Sequence, residues 1–267
     1  MRTHTYFISD VHLGAPSVRK SQERERTLVS FLKHIEKDCK QLFIVGDLFD
    51  YWFEYKHVVP RGHTRVLGQL ALMVDAGLQL DIFVGNHDLW IGNYLTEELG
   101  ATVHHKPLKW SPNDGKTTFY LAHGDGLGPG DRKYKALKKL FTNPIAIWAY
   151  KRLHPNFGVG FAARMSRRSR NSQSDDDHAF KGEKERQLVH SKALLEKEWF
   201  DYFIYGHRHH EKEVLLQAET AKDGTKIESN YVVLGDWIRL NTFAKWDGTH
   251  LTLDSYTSRK GKKHLYL

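Results

Sequence analysis

The stretch Leu42-Phe-Ile-Val-Gly-Asp-Leu-Phe-Asp50 joins an apolar run to two carboxylates through a single glycine. Short runs of aromatic and branched aliphatic residues read as buried strands, and polar residues just beyond them lie at the strand's carboxyl end. The same grammar recurs in Thr5-Tyr-Phe-Ile-Ser-Asp10, Asp81-Ile-Phe-Val-Gly-Asn86, Thr118-Phe-Tyr-Leu-Ala-His123 and Tyr202-Phe-Ile-Tyr-Gly-His207. A glycine in three of the five segments permits a tight exit from the strand. Between the strands, Leu28, Phe31, Leu32 and Ile35 form one helical stripe, and Leu67, Leu70 and Met73 another. Alternation of strand and helix predicts an α/β protein whose functional groups collect along the carboxyl edge of its sheet.

Outward from these segments the spacing is regular, then breaks. Asp10, Asp47, Asn86 and His123 follow one another at 37, 39 and 37 residues, whereas His207 comes 84 residues after His123. The excess predicts an insertion over 126–199 with helices near 133–141, 145–153, 159–168 and 182–199, a cap on a body formed by 1–125 and 200–257. Strands near 213–216, 230–235, 242–246 and 251–256 complete two packed sheets, and 258–267 forms a basic tail.

The charge is concentrated in that insertion. Residues 131–170 carry eleven Lys and Arg against one acidic residue, Asp131, while the rest of the chain has 29 basic and 31 acidic groups. A net charge of +8 therefore describes one basic segment on a nearly neutral body, which suits an anionic partner. The single cysteine, Cys39, excludes an intramolecular disulfide. No apolar run reaches the ~18 residues of a spanning helix, so a soluble, cytoplasmic protein is expected.

The strand ends carry Asp10 with His12, Asp47 with Asp50, Asn86 with His87 and Asp88, His123, and His207 with His209. Any one of these is more often a turn former, cap or surface residue. Together at one sheet edge they make a mixed oxygen and nitrogen cage suited to divalent metals, because such crowding without a cation is costly.

The ordered set Asp-x-His, Gly-Asp-x-x-Asp, Gly-Asn-His-Asp, His, Gly-His-x-His resembles the signature of the calcineurin-like metallophosphoesterases over residues 6–237. The resemblance implies a four-layer αββα sandwich with an inserted helical cap. It implies two divalent metals, by family habit Mn: one held by Asp10, His12 and His209, the other by Asn86, His123 and His207, with Asp47 between. A hydroxide bridging them would attack phosphorus. Asn86 and His207 would also meet the substrate, and His87 would steady charge or protonate the leaving oxygen, with Asp88 orienting it.

Gly46-Asp-Leu-Phe-Asp-Tyr-Trp52, His123-Gly-Asp125, Gly206-His-Arg-His209 and Leu234-Gly-Asp-Trp237 are similar to segments of the bacterial UDP-2,3-diacylglucosamine hydrolases. That resemblance implies cleavage of a lipid-linked UDP-sugar to UMP and 2,3-diacylglucosamine 1-phosphate in lipid A biosynthesis. Asp131, Arg164 and Ser169 would touch substrate. Phe141, Ile145, Ile147, Trp148, Phe157, Phe161 and Met165 would line an acyl groove, Arg164, Arg167, Arg168 and Arg170 would meet phosphates, and the basic cap would rest on the anionic inner membrane, with no nucleic acid bound. Two features depart from that branch: His87 replaces its usual Arg, and Gln173 and Asp176 stand where Asn and Lys are usual. The competing readings are a phosphodiesterase or nuclease gripping nucleic acid with the basic cap, and a non-catalytic scaffold.

Overall fold

Successive side chains of the central strands enter different cores. On β1 (His4–Ile8), β2 (Cys39–Val45) and β3 (Gln79–Phe83), Tyr6, Ile8, Leu42, Ile44, Leu80 and Ile82 face a layer of helices. Their neighbours Phe7, Phe43, Val45 and Phe83 face a second sheet. This twofold alternation, apolar on both sides, is why the strands read as continuous hydrophobic runs. The computed structural model describes residues 2–112, 115–130, 132–172, 179–220 and 226–257, without the side chains of 163, 165, 167–172 and 226. Asp131, Gln173, Asp176 and the tail 258–267 therefore lie outside the described residues, as do the side chains of Met165, Arg167, Arg168, Ser169 and Arg170.

One sheet has the order β11-β10-β1-β2-β3-β4, with β1 to β4 (Thr102–His104) parallel and β10 (Thr242–Trp246) and β11 (Leu251–Ser255) antiparallel. The other has the order β5-β6-β7-β9-β8, in which β6 (Phe119–Ala122), β7 (Tyr202–Tyr205) and β9 (Lys226–Leu234) are parallel and the edge strands β5 (Leu108–Trp110) and β8 (Glu211–Thr220) antiparallel. Phe119, Leu121, Ile204, Val232 and Leu234 meet the first sheet's phenylalanines between the two. Helices α1 (Val18–Ile35), α2 (Thr64–Asp75) and α3 (Tyr94–Leu99) cover one outer face. The result is the expected four-layer αββα sandwich.

Three elements had no legible pattern: α3, β4 (Thr102–His104) and β5 (Leu108–Trp110). Elements of three to six residues are too short for a period to repeat. Helix α1 begins at Val18, well before Leu28 of the expected stripe, with Ser17 as its N-cap. Its first turns escaped notice because their buried face is polar: Ser21, Arg24 and Glu25.

The insertion holds α4 (Arg132–Phe141), α5 (Pro144–Tyr150) and α6 (Pro155–Ser172), then a short 3-10 turn (Gly182–Lys184) and α7 (Arg186–Leu195). Helices α4 and α5 bury no residue. They reach the body through ring packing of Tyr150 on Phe53 and Trp90 and through polar ties: Trp90 Nε1 donates to the Phe141 carbonyl at 2.8 Å, and the hydroxyls of Tyr51 and Tyr150 lie 3.1 Å apart. Helix α7 is different. Its Leu188 packs with Ala122, Phe203, Tyr205, Tyr231 and Val233, so this part of the span 126–199 forms the body's fourth layer. Among the described residues, no helix is long and apolar enough to cross a membrane.

Candidate active site

Asp10, His12, Asp47, His207 and His209 all sit just past strand ends in left-handed backbone, with φ of 53°, 49°, 53°, 71° and 53°. Positive φ is uncommon outside glycine, though Asp, Asn and His tolerate it best, and such strain concentrates at functional sites. Among the described residues the other non-glycine cases are His63 and Asn241. The loop after β1 is held in this shape by Arg24 of α1. Its buried guanidinium donates to the carbonyls of Val11, His12 and Ala15 at 2.9, 2.7 and 2.8 Å.

The glycines that precede the candidate ligands supply room. A Cβ on Gly85 would lie 2.1 Å from Asp47 Oδ1, and one on Gly206 would lie 2.6 Å from Asp10 Oδ2. Neither glycine has a positive φ, so the tight exit expected of them is not what these two positions require. Each lets a carboxylate pass close to the backbone, Asp47 from the adjacent strand and Asp10 from the facing sheet. Each carboxylate is then anchored by an amide: His87 N donates to Asp47 Oδ1, and His207 N to Asp10 Oδ2, both at 2.8 Å.

These anchors leave the other oxygens facing one another's imidazoles. Asp10 Oδ1 lies 3.7 Å from His12 Nε2 and 3.4 Å from His209 Nε2. Asp47 Oδ2 lies 3.5 Å from His12 Nε2 and 3.4 Å from His123 Nε2. Asn86 Oδ1 approaches His123 Nε2 at 3.1 Å and His207 Nδ1 at 2.8 Å. The eight residues Asp10, His12, Asp47, Asn86, His87, His123, His207 and His209 thus converge.

Whether this cluster fits divalent metals is decided by its unsatisfied atoms. Asp10 Oδ1, Asp47 Oδ2 and both nitrogens of His12 are buried without a hydrogen-bond partner. Leaving buried polar atoms in that state is costly unless a cation completes them. Asp10, His12 and His209 offer ligand atoms within 4.8 Å of one another, as do Asp10, Asp47 and His123, and also His12, Asp47 and His87. The same demand for positive charge shows in how the site holds its protons. Burial by itself would lower His12 and His123, yet the carboxylates around them push both up to about 10. Burial would likewise raise Asp47, but His123, His87 and His12 hold it well below the usual carboxylate range. His207 goes the other way, down to about 4, through burial and the nearby charge of His123. The residues fit a pair of divalent cations.

Asp88 does not take the expected place beside His87. Its oxygens accept from Gly85 N at 2.7 Å and Phe49 N at 3.2 Å, and it is fully buried. The carboxylate is thereby committed to shaping two site loops. The His87 ring instead presents Nδ1 to the Asp50 carbonyl at 3.3 Å and to Ser166 Oγ of α6 at 3.2 Å. Ser166 also donates to Asp50 Oδ2 at 3.0 Å, so among the described side chains Ser166 ties the cap to the cage. Asp50 stands among the strand-end groups legible in the sequence, through Gly-Asp-x-x-Asp, but without an assigned role; nothing local signals Ser166. Asp125, which follows His123, is buried and accepts from Tyr134 and Lys138 of α4.

Arg164 is exposed on α6, two residues and so more than half a turn from Ser166. The expected acyl-groove residues divide. Ile145, Trp148, Phe157 and Phe161 are exposed, whereas Ile147 lines a cavity of about 680 Å³ with Phe53, Val58, Trp90, Tyr94 and Lys151.

No family model matches the chain. The UDP-2,3-diacylglucosamine hydrolase of Porphyromonas gingivalis is 39% identical to it, covering 96% of this chain and 98% of that protein. The enzyme of the same name from Ectopseudomonas mendocina is 27% identical over 90% of this chain and 93% of its own length. Among solved structures, Yfce, a phosphoesterase from E. coli, aligns over 94% of this chain and 92% of its own, with 13% identity and a TM-score of 0.42. An identity of 39% maintained from end to end of both chains means that this chain belongs to the UDP-2,3-diacylglucosamine hydrolase family.

Proposed function

We propose that the chain hydrolyses the pyrophosphate of UDP-2,3-diacylglucosamine, releasing UMP and 2,3-diacylglucosamine 1-phosphate, as a step of lipid A biosynthesis. The observation that carries this reading is the cage of buried, unpartnered ligand atoms in a chain of this family. Asp10, His12 and His209 would hold one cation and Asn86, His123 and His207 the other, with Asp47 between them. When bound, the pair neutralises phosphate charge and eases the deprotonation of water. Mixed carboxylate, amide and imidazole donors suit manganese, which we take as the resident ion.

The remaining work falls to the chain's own groups. Asn86 turns its oxygen to His123 and His207, leaving its amide nitrogen to donate to a phosphoryl oxygen. With Nδ1 of His87 donating its proton to the Asp50 carbonyl and Ser166, the ring's other nitrogen can donate to the leaving oxygen only when the ring is imidazolium, the form that also steadies phosphate charge. Asp131, Arg164 and Ser169 remain our candidates for substrate contact from the cap. The test is incubation of the purified protein and Mn with UDP-2,3-diacylglucosamine, with single-stranded nucleic acid and a chromogenic diester in parallel. UMP should appear from the first. Turnover restricted to the diester or the nucleic acid would overturn the assignment.

The substrate's acyl chains place it in a membrane, and we propose that the cap rests on the anionic inner face. Leu137, Leu140, Ile145, Trp148, Phe157 and Phe161 are exposed there beside Lys138, Lys139, Lys151 and Arg152. Transfer of one such apolar side chain out of water is worth about 1.5–3 kcal/mol when complete. Ile145→Ser combined with Phe157→Ser should therefore weaken partitioning onto phosphatidylglycerol-containing vesicles by roughly tenfold or more, as read by co-sedimentation. Undiminished sedimentation would remove this surface from consideration.

A further inference from the structure

The turn Gly235-Asp-Trp237, just past the carboxyl end of β9, lies against the cage. Ser9 Oγ donates to the Gly235 carbonyl at 3.3 Å, and Trp237 N to the Asp10 carbonyl at 3.1 Å. These bonds dock the turn onto the loop that carries Asp10. Asp236 is buried there, at 1% exposure. Its two oxygens have separate tasks. Oδ1 accepts from the backbone nitrogens of Ile238, Arg239 and Leu240 at 3.1, 2.8 and 3.2 Å, which closes the turn. Oδ2 is buried without a well-aligned hydrogen bond, and the nearest donors are His209 Nδ1 at 3.3 Å and the half-exposed Arg239 Nε at 3.5 Å.

We propose that Asp236 is a positioning residue that fixes the tautomer and ring orientation of His209. A carboxylate only accepts, so Nδ1 of His209 carries the proton that faces it. The lone pair is then on Nε2, the atom that lies 3.4 Å from Asp10 Oδ1 inside the cage. Histidine ligands depend on such outer partners for orientation and basicity. Arg239 adds a second restraint on the same loop, since its Nη2 donates to the His209 carbonyl at 3.4 Å. This role rests on the two-cation reading above.

Asp236→Asn separates the two tasks. The amide oxygen can still accept from the three backbone nitrogens, so the turn closes as before. The amide NH2 then replaces Oδ2 and donates toward Nδ1, which drives the ring proton to Nε2, onto the ligand atom itself. The flipped amide would set NH2 against three N–H donors. Titration with Mn(II), following free ion by electron paramagnetic resonance, should show two ions bound by the wild type. In Asp236→Asn one site should weaken by about 10–100-fold while the other keeps its affinity. Both sites at wild-type affinity in the variant would overturn the proposal alone. Fewer than two ions on the wild type would overturn the two-cation reading, and this role with it. Should the variant fail to fold, long-range 1H–15N spectra of the Zn-loaded wild type decide the matter. A protonated Nδ1 on His209, assigned by loss of its signals in His209→Gln, is expected; an unprotonated Nδ1 refutes the role.

Discussion

Asp47→Asn is expected to lower kcat by at least roughly a thousandfold, and to reduce the bound metal below two per chain, without unfolding the protein. Asparagine has the same shape, so its oxygen can still accept from His87 N, as Asp47 Oδ1 does at 2.8 Å. What changes is the other atom. Oδ2 stands between His12 Nε2 and His123 Nε2 at 3.5 and 3.4 Å and has no hydrogen-bond partner. An NH2 group there carries no charge and offers no lone pair to a cation. Losing about 4 kcal/mol of the charge stabilisation that a metal pair supplies corresponds to roughly a thousandfold in rate. Steady-state turnover and elemental analysis of the purified variant are the measurements. Full activity with both ions present would exclude Asp47 from the position between them.

The second large effect lies outside the cage. Arg24→Met should destabilise the protein by about 3–5 kcal/mol, the summed cost of leaving three buried carbonyls without their donor at roughly 1–3 kcal/mol each. Three carbonyls, those of Val11, His12 and Ala15, would lose a charged donor within a buried loop. In a chain of this size roughly 2–4 °C of melting temperature accompanies each kcal/mol, so the expected fall is about 10 °C. Arg24→Lys should recover only part of it, because one ammonium cannot reproduce a planar fork that spans three acceptors. The same loop holds Asp10 and His12 at positive φ, so metal affinity should fall with stability. A melting temperature unchanged in Arg24→Met would show that the loop keeps its shape unaided.

The sequence read alone reaches as far as patterns repeat. Phe7 and Tyr6, or Phe43 and Leu42, belong to opposite faces of one strand, and the apolar runs announce this before any coordinates. The converging ligands were legible for the same reason: parallel strands deliver their carboxyl ends to one edge, and Asp10, Asp47, Asn86, His123 and His207 follow those strands. The early turns of α1 were not legible. Ser21 accepts from Gly14 N, and Glu25 from Arg65 N and Val66 N, so their buried face is polar and carries no hydrophobic period.

Sequence by itself therefore determined the layered α/β body, the insertion and the set of groups that meet at the sheet edge, because each is written in local periodicity or in residue type. Tertiary structure alone decided the partners. Asp88 serves Gly85 and Phe49 instead of His87, whose ring is met by Asp50 and by Ser166, 79 residues away. Asp236 reaches His209, and α7 joins the body in place of the cap. Those assignments depend on which side chains the packed sheets and the docked cap bring within hydrogen-bond reach, and no spacing along the chain encodes that distance.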